Sequence, residues 1–345
     1  MKRIVLVCVL ATLLMLAFAQ PAPAEPAPYG PVTLHFYGKV GTYPVEMELT
    51  IDDGKATGVY WYEAYSTDIE LEGTYHNQTV VLNEKDADGN VAARLAGSLN
   101  PLSGQWVGTW TSADGKRALA FDLKLAAEIV KTTEKRLGHI DVQVVRPVLV
   151  DALAAAADDP AQRFIDEAAL SPVDDMVRDD LNEAVFEPEE YWFSHVVATS
   201  YQIRYFSDDL LSIMGTVYTF LGGAHGMTNA APLNLVRYGD EVRTVALTDV
   251  MRAGSGWEKK LNSYIMSNLK KQGAAWVLNG DVKSVPVEQL QRFTLTPAGI
   301  EFYFDAYEMG PYSDGMYSVK VPWIELKGMV NLDGPVGSIA SGARA

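Results

Sequence analysis

The sequence predicts an α+β protein in two parts. An antiparallel β meander, forming a small barrel or sandwich, comes first, and a domain with helices packed on an antiparallel sheet follows. Three observations predict this. Apolar and polar residues alternate from Val32 to Leu125, turn clusters break the alternation at short intervals, and helical readings enter only after residue 125.

The chain starts Met1-Lys2-Arg3, followed by the mostly apolar run Ile4–Phe18. That is the layout of a secretory signal peptide, here residues 1–24, with small-x-small cleavage positions after Ala19 and Ala24. The run is shorter than the roughly 20 residues a membrane helix needs. The single cysteine, Cys8, lies within this leader, so the mature chain is expected to lack thiol and disulfide chemistry. The expectation is a bacterial protein, periplasmic or secreted, with no stable membrane anchor after cleavage. Residues 25–31 complete a Pro/Ala tether.

Residues 32–125 form the first predicted domain. Tyr43, Val45, Met47, Leu49 and Ile51 alternate with polar neighbours, as do Ile69, Leu71 and Tyr75, then Leu119, Phe121, Leu123 and Leu125. Asp52-Asp53-Gly54, His76-Asn77, Asp86–Asn90, Asn100–Gly104 and Ala113-Asp114-Gly115 supply the turns. About eight strands fit, enough to close a barrel. Ala126–Arg136 reads as a short helix or linker.

Residues 135–330 form the second predicted domain. Ile140, Val142 and Val144 suggest a strand, and Pro160–Ala184 has helical spacing, with Pro160 and Pro172 as first-turn residues. Thr199–Phe206 and Leu210–Phe220 read as strands around Ser207-Asp208-Asp209, and Gly239-Asp240 turns a hairpin. Trp257, Leu261, Ile265 and Leu269 share one helix face that ends near Gly273. Phe293–Thr296, Ile300–Phe304 and Tyr317–Val321 are read as completing the sheet, and residues 331–345 as a flexible tail.

The net charge of −16 disfavours nucleic acid and anionic lipid and favours cationic partners. An apolar content of 48% suffices for two ordinary cores. Ser255 sits in Gly-Ser-Gly rather than a nucleophile elbow, and no phosphate-binding loop is present. His35, His76, His139, His195 and His225 show no ligand spacing, and Asp86–Asn90 departs from a calcium loop at its glycine. No catalytic residue, metal or cofactor is therefore assigned.

Two segments carry the candidate binding site. Gly222-Gly223-Ala224-His225-Gly226 lets the backbone take positive φ while presenting a histidine. Asp305, Tyr307, Glu308, Tyr312 and Asp314 form an aromatic and acidic loop, suited to recognition through tyrosine faces or carboxylates. Two alternatives stand beside a binding role. One is a glycan-acting enzyme using Asp305, Glu308 or Asp314 with His225. The other is a small-molecule carrier built on the first domain, where Trp61, Trp106 and Trp110 would line a cavity rather than fill a core.

Tyr218–Gly226 with Leu247-Thr248-Asp249-Val250, and Phe293–Ile300 running into Tyr303–Tyr312, resemble the RsiV/PdaC-type extracytoplasmic domain over roughly residues 135–330. The resemblance implies an α+β module outside the cytoplasmic membrane. In the anti-sigma factor RsiV such a module binds lysozyme; in the deacetylase PdaC it accompanies a separate catalytic domain. The sequence shows neither an anti-sigma segment nor the Asp/His metal motif of a polysaccharide deacetylase, so signalling and deacetylation are not expected of it. The implied partners are lysozyme or another cationic protein, or peptidoglycan.

Overall fold

Alternation becomes strand wherever the sequence carries it. The computed structural model describes residues 30–150, 159–186 and 194–340; the expected leader, most of the tether and the last five residues lie outside these. No described helix is long and apolar enough to cross a membrane. The chain divides into two compact units, one formed by residues up to Ile129 with Val148–Asp159, the other by Val130–Pro147 with Pro160–Ala345.

The first unit is an eight-stranded antiparallel barrel: β1 (Val32–Val40), β2 (Tyr43–Asp52), β3 (Lys55–Tyr62), β4 (Ile69–His76), β5 (Thr79–Lys85), β6 (Val91–Leu99), β7 (Gln105–Ser112) and β8 (Ala118–Arg136). Each strand pairs with the next, and β1 also pairs with β8 from Thr33↔Ile129 to Val40↔Phe121, which closes the sheet and removes its edges. Trp106 is fully buried, with Phe36 and Phe121 edge-on to it at 5.7 and 5.1 Å. Gly97 and Gly108 face each other across β6 and β7, and a side chain on either would strike the Phe121 ring. Trp106 thus packs in the barrel core, whereas Trp61, also buried, lies on the opposite face of β3 beside His35, ring centroids 5.9 Å apart. Near Trp110, the carboxylate of Glu84 accepts bonds from Tyr60 Oη (2.6 Å) and Trp110 Nε1 (2.9 Å).

Ala126–Arg136 is neither helix nor linker but the second half of β8. Its Ala, Glu and Lys residues favour helix, yet Ala126 and Ala127 are buried and pairing with β1 resumes at Ala127 after a bulge at Ala126, so tertiary context overrides propensity.

In the second unit, β9 (Ile140–Leu149) follows a tight turn at Leu137-Gly138, both at positive φ. It pairs in parallel with β10 (His195–Phe206), from Ile140↔His195 to Val145↔Ser200. This parallel pair was not expected from the sequence, and it requires a crossover, which α1 (Pro160–Phe186) supplies. Pro172 does not start that helix but lies inside it. A proline there cannot bond the carbonyl four residues back. That carbonyl, on Ala168, accepts instead from Tyr201 Oη at 2.7 Å, and Ala169 O accepts from Thr199 Oγ1 at 2.9 Å. The interruption in the helix is thus satisfied by the strand beneath it.

The sheet continues antiparallel through β11 (Leu210–Phe220), β13 (Leu233–Tyr238) and β14 (Glu241–Thr244), while the short β12 (Met227–Ala230) also pairs with β11. Beyond α2 (Leu247–Val250), α3 (Trp257–Gln272) buries the predicted face Trp257, Leu261, Ile265 and Leu269 and ends at Gly273 in the left-handed conformation. After α4 (Ala275–Leu278), β15 (Phe293–Thr296), β16 (Gly299–Phe304) and β17 (Tyr317–Pro322) form a separate three-stranded sheet instead of extending the first. A buried polar chain ties the two sheets. Ser212 Oγ donates to Asn234 Oδ1 (2.7 Å), Asn234 Nδ2 to Phe293 O (2.7 Å) and Leu295 N to Ser212 Oγ (2.8 Å). The expected flexible tail is ordered as far as Ala340, because Val336, Ile339 and Ala340 are apolar and join the core of this unit.

Candidate functional site

The glycine turn and the aromatic loop, far apart in sequence, meet in the second unit. Residues Leu221–Gly226 connect β11 to β12, and Asp305–Met316 connect β16 to β17. Gly222 and Gly223 both take positive φ, +98° and +89°, which only glycine adopts without strain in succession. Gly226 is required for space: a Cβ there would overlap the Tyr218 ring.

His225 and Tyr312 stack face to face, ring centroids 3.7 Å apart and 17° from parallel. Tyr312 Oη donates to Gly226 O at 2.9 Å, which pins the ring over the turn. His225 Nδ1 donates to the same carbonyl at 3.1 Å, and Tyr307 Oη lies 3.5 Å from Nε2. Tyr307 lies 5.8 Å from Tyr312, and Trp276 of α4 stacks beyond it at 6.5 Å. The result is a row of four rings, Trp276, Tyr307, Tyr312 and His225. Tyr307 remains 47% and Tyr312 36% exposed. Tyr307 is held at φ +68°, costly for an aromatic residue, and its ring contacts with Trp276 and Tyr312 offset part of that cost.

The acidic residues serve a different purpose. Asp305 is 8% exposed; its Oδ1 accepts from Ala230 N at 2.7 Å and its Oδ2 lies 3.3 Å from Arg292 Nη1. Glu308 pairs with Arg292 Nη2 and also accepts from Asp305 N at 2.8 Å. Burial raises the Asp305 carboxyl above its ordinary range, with Glu308 adding to the rise, while the Ala230 amide and Arg292 oppose it. Asp314 Oδ2 accepts from Tyr317 Oη at 2.9 Å. Asp305 and Glu308 thus brace the loop through Arg292, while Asp314 stays exposed at the loop surface.

The fold therefore brings together Gly222, Gly223, His225, Tyr307 and Tyr312 at the surface, with Asp305 and Glu308 as their framework and Asp314 exposed on the same loop. Sequence reasoning missed Arg292 and Trp276. Arg292 directly precedes β15 and Trp276 sits in a four-residue helix, and neither position has a local pattern that marks it.

It also missed a second cluster. Although the sequence reading assigned no metal, His139, Asp180 and His195 place one ligand atom each within 4.8 Å of one another. They come from the β8–β9 turn, α1 and β10, so no local spacing could have announced them. Asp86, in the rejected calcium loop, accepts from the amides of Asp88 and Asn90 at 3.0 and 2.8 Å, an ordinary turn.

The second unit is an α+β module bearing an exposed row of aromatic rings on two braced loops. Residues 248–324, which carry one of those loops and its Arg292 brace, match the sequence profile of DUF3298, a protein of unknown function. Two solved structures of that family are similar to this chain. A member from Bacteroides fragilis is 19% identical with a TM-score of 0.37, over 62% of this chain and 96% of that one. A member from Pseudomonas aeruginosa is 20% identical with a TM-score of 0.42, over 59% of this chain and 94% of that one. Likeness at this level bears on neither ligand nor reaction. No curated protein matches the chain.

Proposed function

We propose that this is an exported bacterial envelope protein whose second unit is a non-catalytic binding module, related to the RsiV/PdaC-type domains, that recognises cell-wall glycan. The observation that carries the reading is the ring row: Tyr307 and Tyr312 are large, part-exposed and locked by stacking and hydrogen bonds. Preorganised aromatic faces bind sugar rings at little entropic cost. Asp305 and Glu308 beside them are paired with Arg292, which leaves the ring faces as the larger part of the exposed surface for recognition. The signal-peptide layout of residues 1–24 supports placement in the periplasm or outside the cell.

The net charge of −16 favours a second reading, in which the same face takes a cationic protein such as lysozyme. Co-sedimentation with purified peptidoglycan, and titration with lysozyme at low and high salt, separate the two. Retention on peptidoglycan that Tyr307→Ala/Tyr312→Ala abolishes is the expected result. Salt-sensitive lysozyme binding alone selects the second reading, and binding of neither ligand defeats both.

A further inference from the structure

We propose that His139, Asp180 and His195 form a binding site for a divalent cation of the zinc class. The cluster lies in the second unit and shares no residue with the ring row. Asp180 Oδ1 is the common centre, 2.9 Å from His139 Nε2 and 3.2 Å from His195 Nδ1. The two rings stand edge to face with centroids 5.5 Å apart, so their nitrogens converge on one carboxylate oxygen. Asp180 and His195 are both buried, 5% and 6% exposed.

His139 is held by a contact at each ring nitrogen. Its Nδ1 lies 3.0 Å from Leu137 O, a carbonyl that can only accept, so Nδ1 carries the proton. A neutral imidazole then directs a bare lone pair at Asp180, where two acceptors 2.9 Å apart repel. A positive charge is required between them, supplied either by a second proton on the ring or by a metal ion. The backbone bond at Nδ1 is the arrangement that orients a metal-ligating histidine and leaves Nε2 as the ligand. Two imidazoles and one carboxylate are a donor set that zinc accepts, with a fourth position open to water. Ligand atoms around tetrahedral zinc stand about 3.3 Å apart. The 2.9 and 3.2 Å separations found here reach that value with shifts of a few tenths of an ångström. The ligands come from the β8–β9 turn, α1 and the start of β10, so the ion would clip the crossover helix to both parallel strands.

Isothermal titration of the purified chain with Zn²⁺ after chelation, paired with the visible spectrum of the Co²⁺ form, tests the site. The expected result is one ion per chain with a tetrahedral Co²⁺ spectrum, and affinity at least ten-fold weaker in both Asp180→Asn and His139→Gln. His139 sits at a surface turn, so its variant tests the site even if Asp180→Asn fails to fold, with circular dichroism as the check. Absence of stoichiometric binding overturns the proposal. So does binding that folded His139→Gln retains at full strength.

Discussion

Replacing Arg292 with methionine removes the one cation shown between Asp305 and Glu308 while keeping most of the side chain's bulk. Breaking a fully buried ion pair by deleting one partner costs about 3–5 kcal/mol. Here the Arg292, Asp305 and Glu308 side chains are 28%, 11% and 21% exposed, so water recovers part of that loss. About 2–3 kcal/mol is expected. The assay is urea unfolding read by hydrogen exchange in peptides spanning Phe293–Pro322, which isolates the unit concerned from the barrel. The loss has a pH signature. Without Arg292 the Asp305 carboxyl rises further above its unfolded value. A raised carboxylate pKa contributes stability below the unfolded value, about 3.9, which is lost as pH climbs through the folded one. The defect is therefore smaller near pH 4 than near pH 7. Adding Asp305→Asn and Glu308→Gln, which removes the stranded charges, recovers part of the loss. A single variant within about 0.5 kcal/mol of wild type at neutral pH refutes the claim that these carboxylates brace the loop.

Three further perturbations have definite expected outcomes. Burial, with Glu46 adding to it, pushes the Glu63 carboxyl up to about 7, so the barrel loses stability as pH rises from the ordinary carboxylate range to that value; Glu63→Gln raises the urea midpoint at pH 8 and leaves it nearly unchanged at pH 4, and equal effects at both refute the assignment. Trp106→Ala empties the barrel centre and costs about 3–5 kcal/mol, measured as loss of exchange protection in β6 and β7, whereas a cost below about 1 kcal/mol means the interior is not close-packed. Gly226→Ala forces the Tyr218 ring aside and destabilises the glycine turn by about 1–3 kcal/mol, with faster exchange in residues 222–230; unchanged exchange there removes the steric argument.

Period-2 alternation was legible in the barrel because most strands bury one face and wet the other; His35, Glu46 and Trp61, buried on the outer face, depart from it. The signal failed where tertiary context opposed local preference. The helix-favouring Ala126–Arg136 became strand because its alanines are buried where the ladder resumes after a bulge. Pro172 reads as a helix start, and only the hydroxyls of Thr199 and Tyr201, 27 or more positions on, make it tolerable within α1. Nothing local distinguishes β15–β17 as a sheet of their own, since strand pairing is a long-range property. At the site, glycines and tyrosines marked the two loops through their own chemistry. Their meeting, their Arg292 brace and the His139–Asp180–His195 cluster depend on contacts between distant segments, which a single sequence does not display.

The central claim is that the ring row is the binding surface. Hydrogen-exchange mass spectrometry of the chain, with and without soluble peptidoglycan fragments, addresses it most directly. Protection concentrated in residues 221–226 and 305–316, and absent from Tyr307→Ala/Tyr312→Ala, is the predicted result. Protection elsewhere that leaves both loops unchanged, or that persists in the double variant, contradicts it.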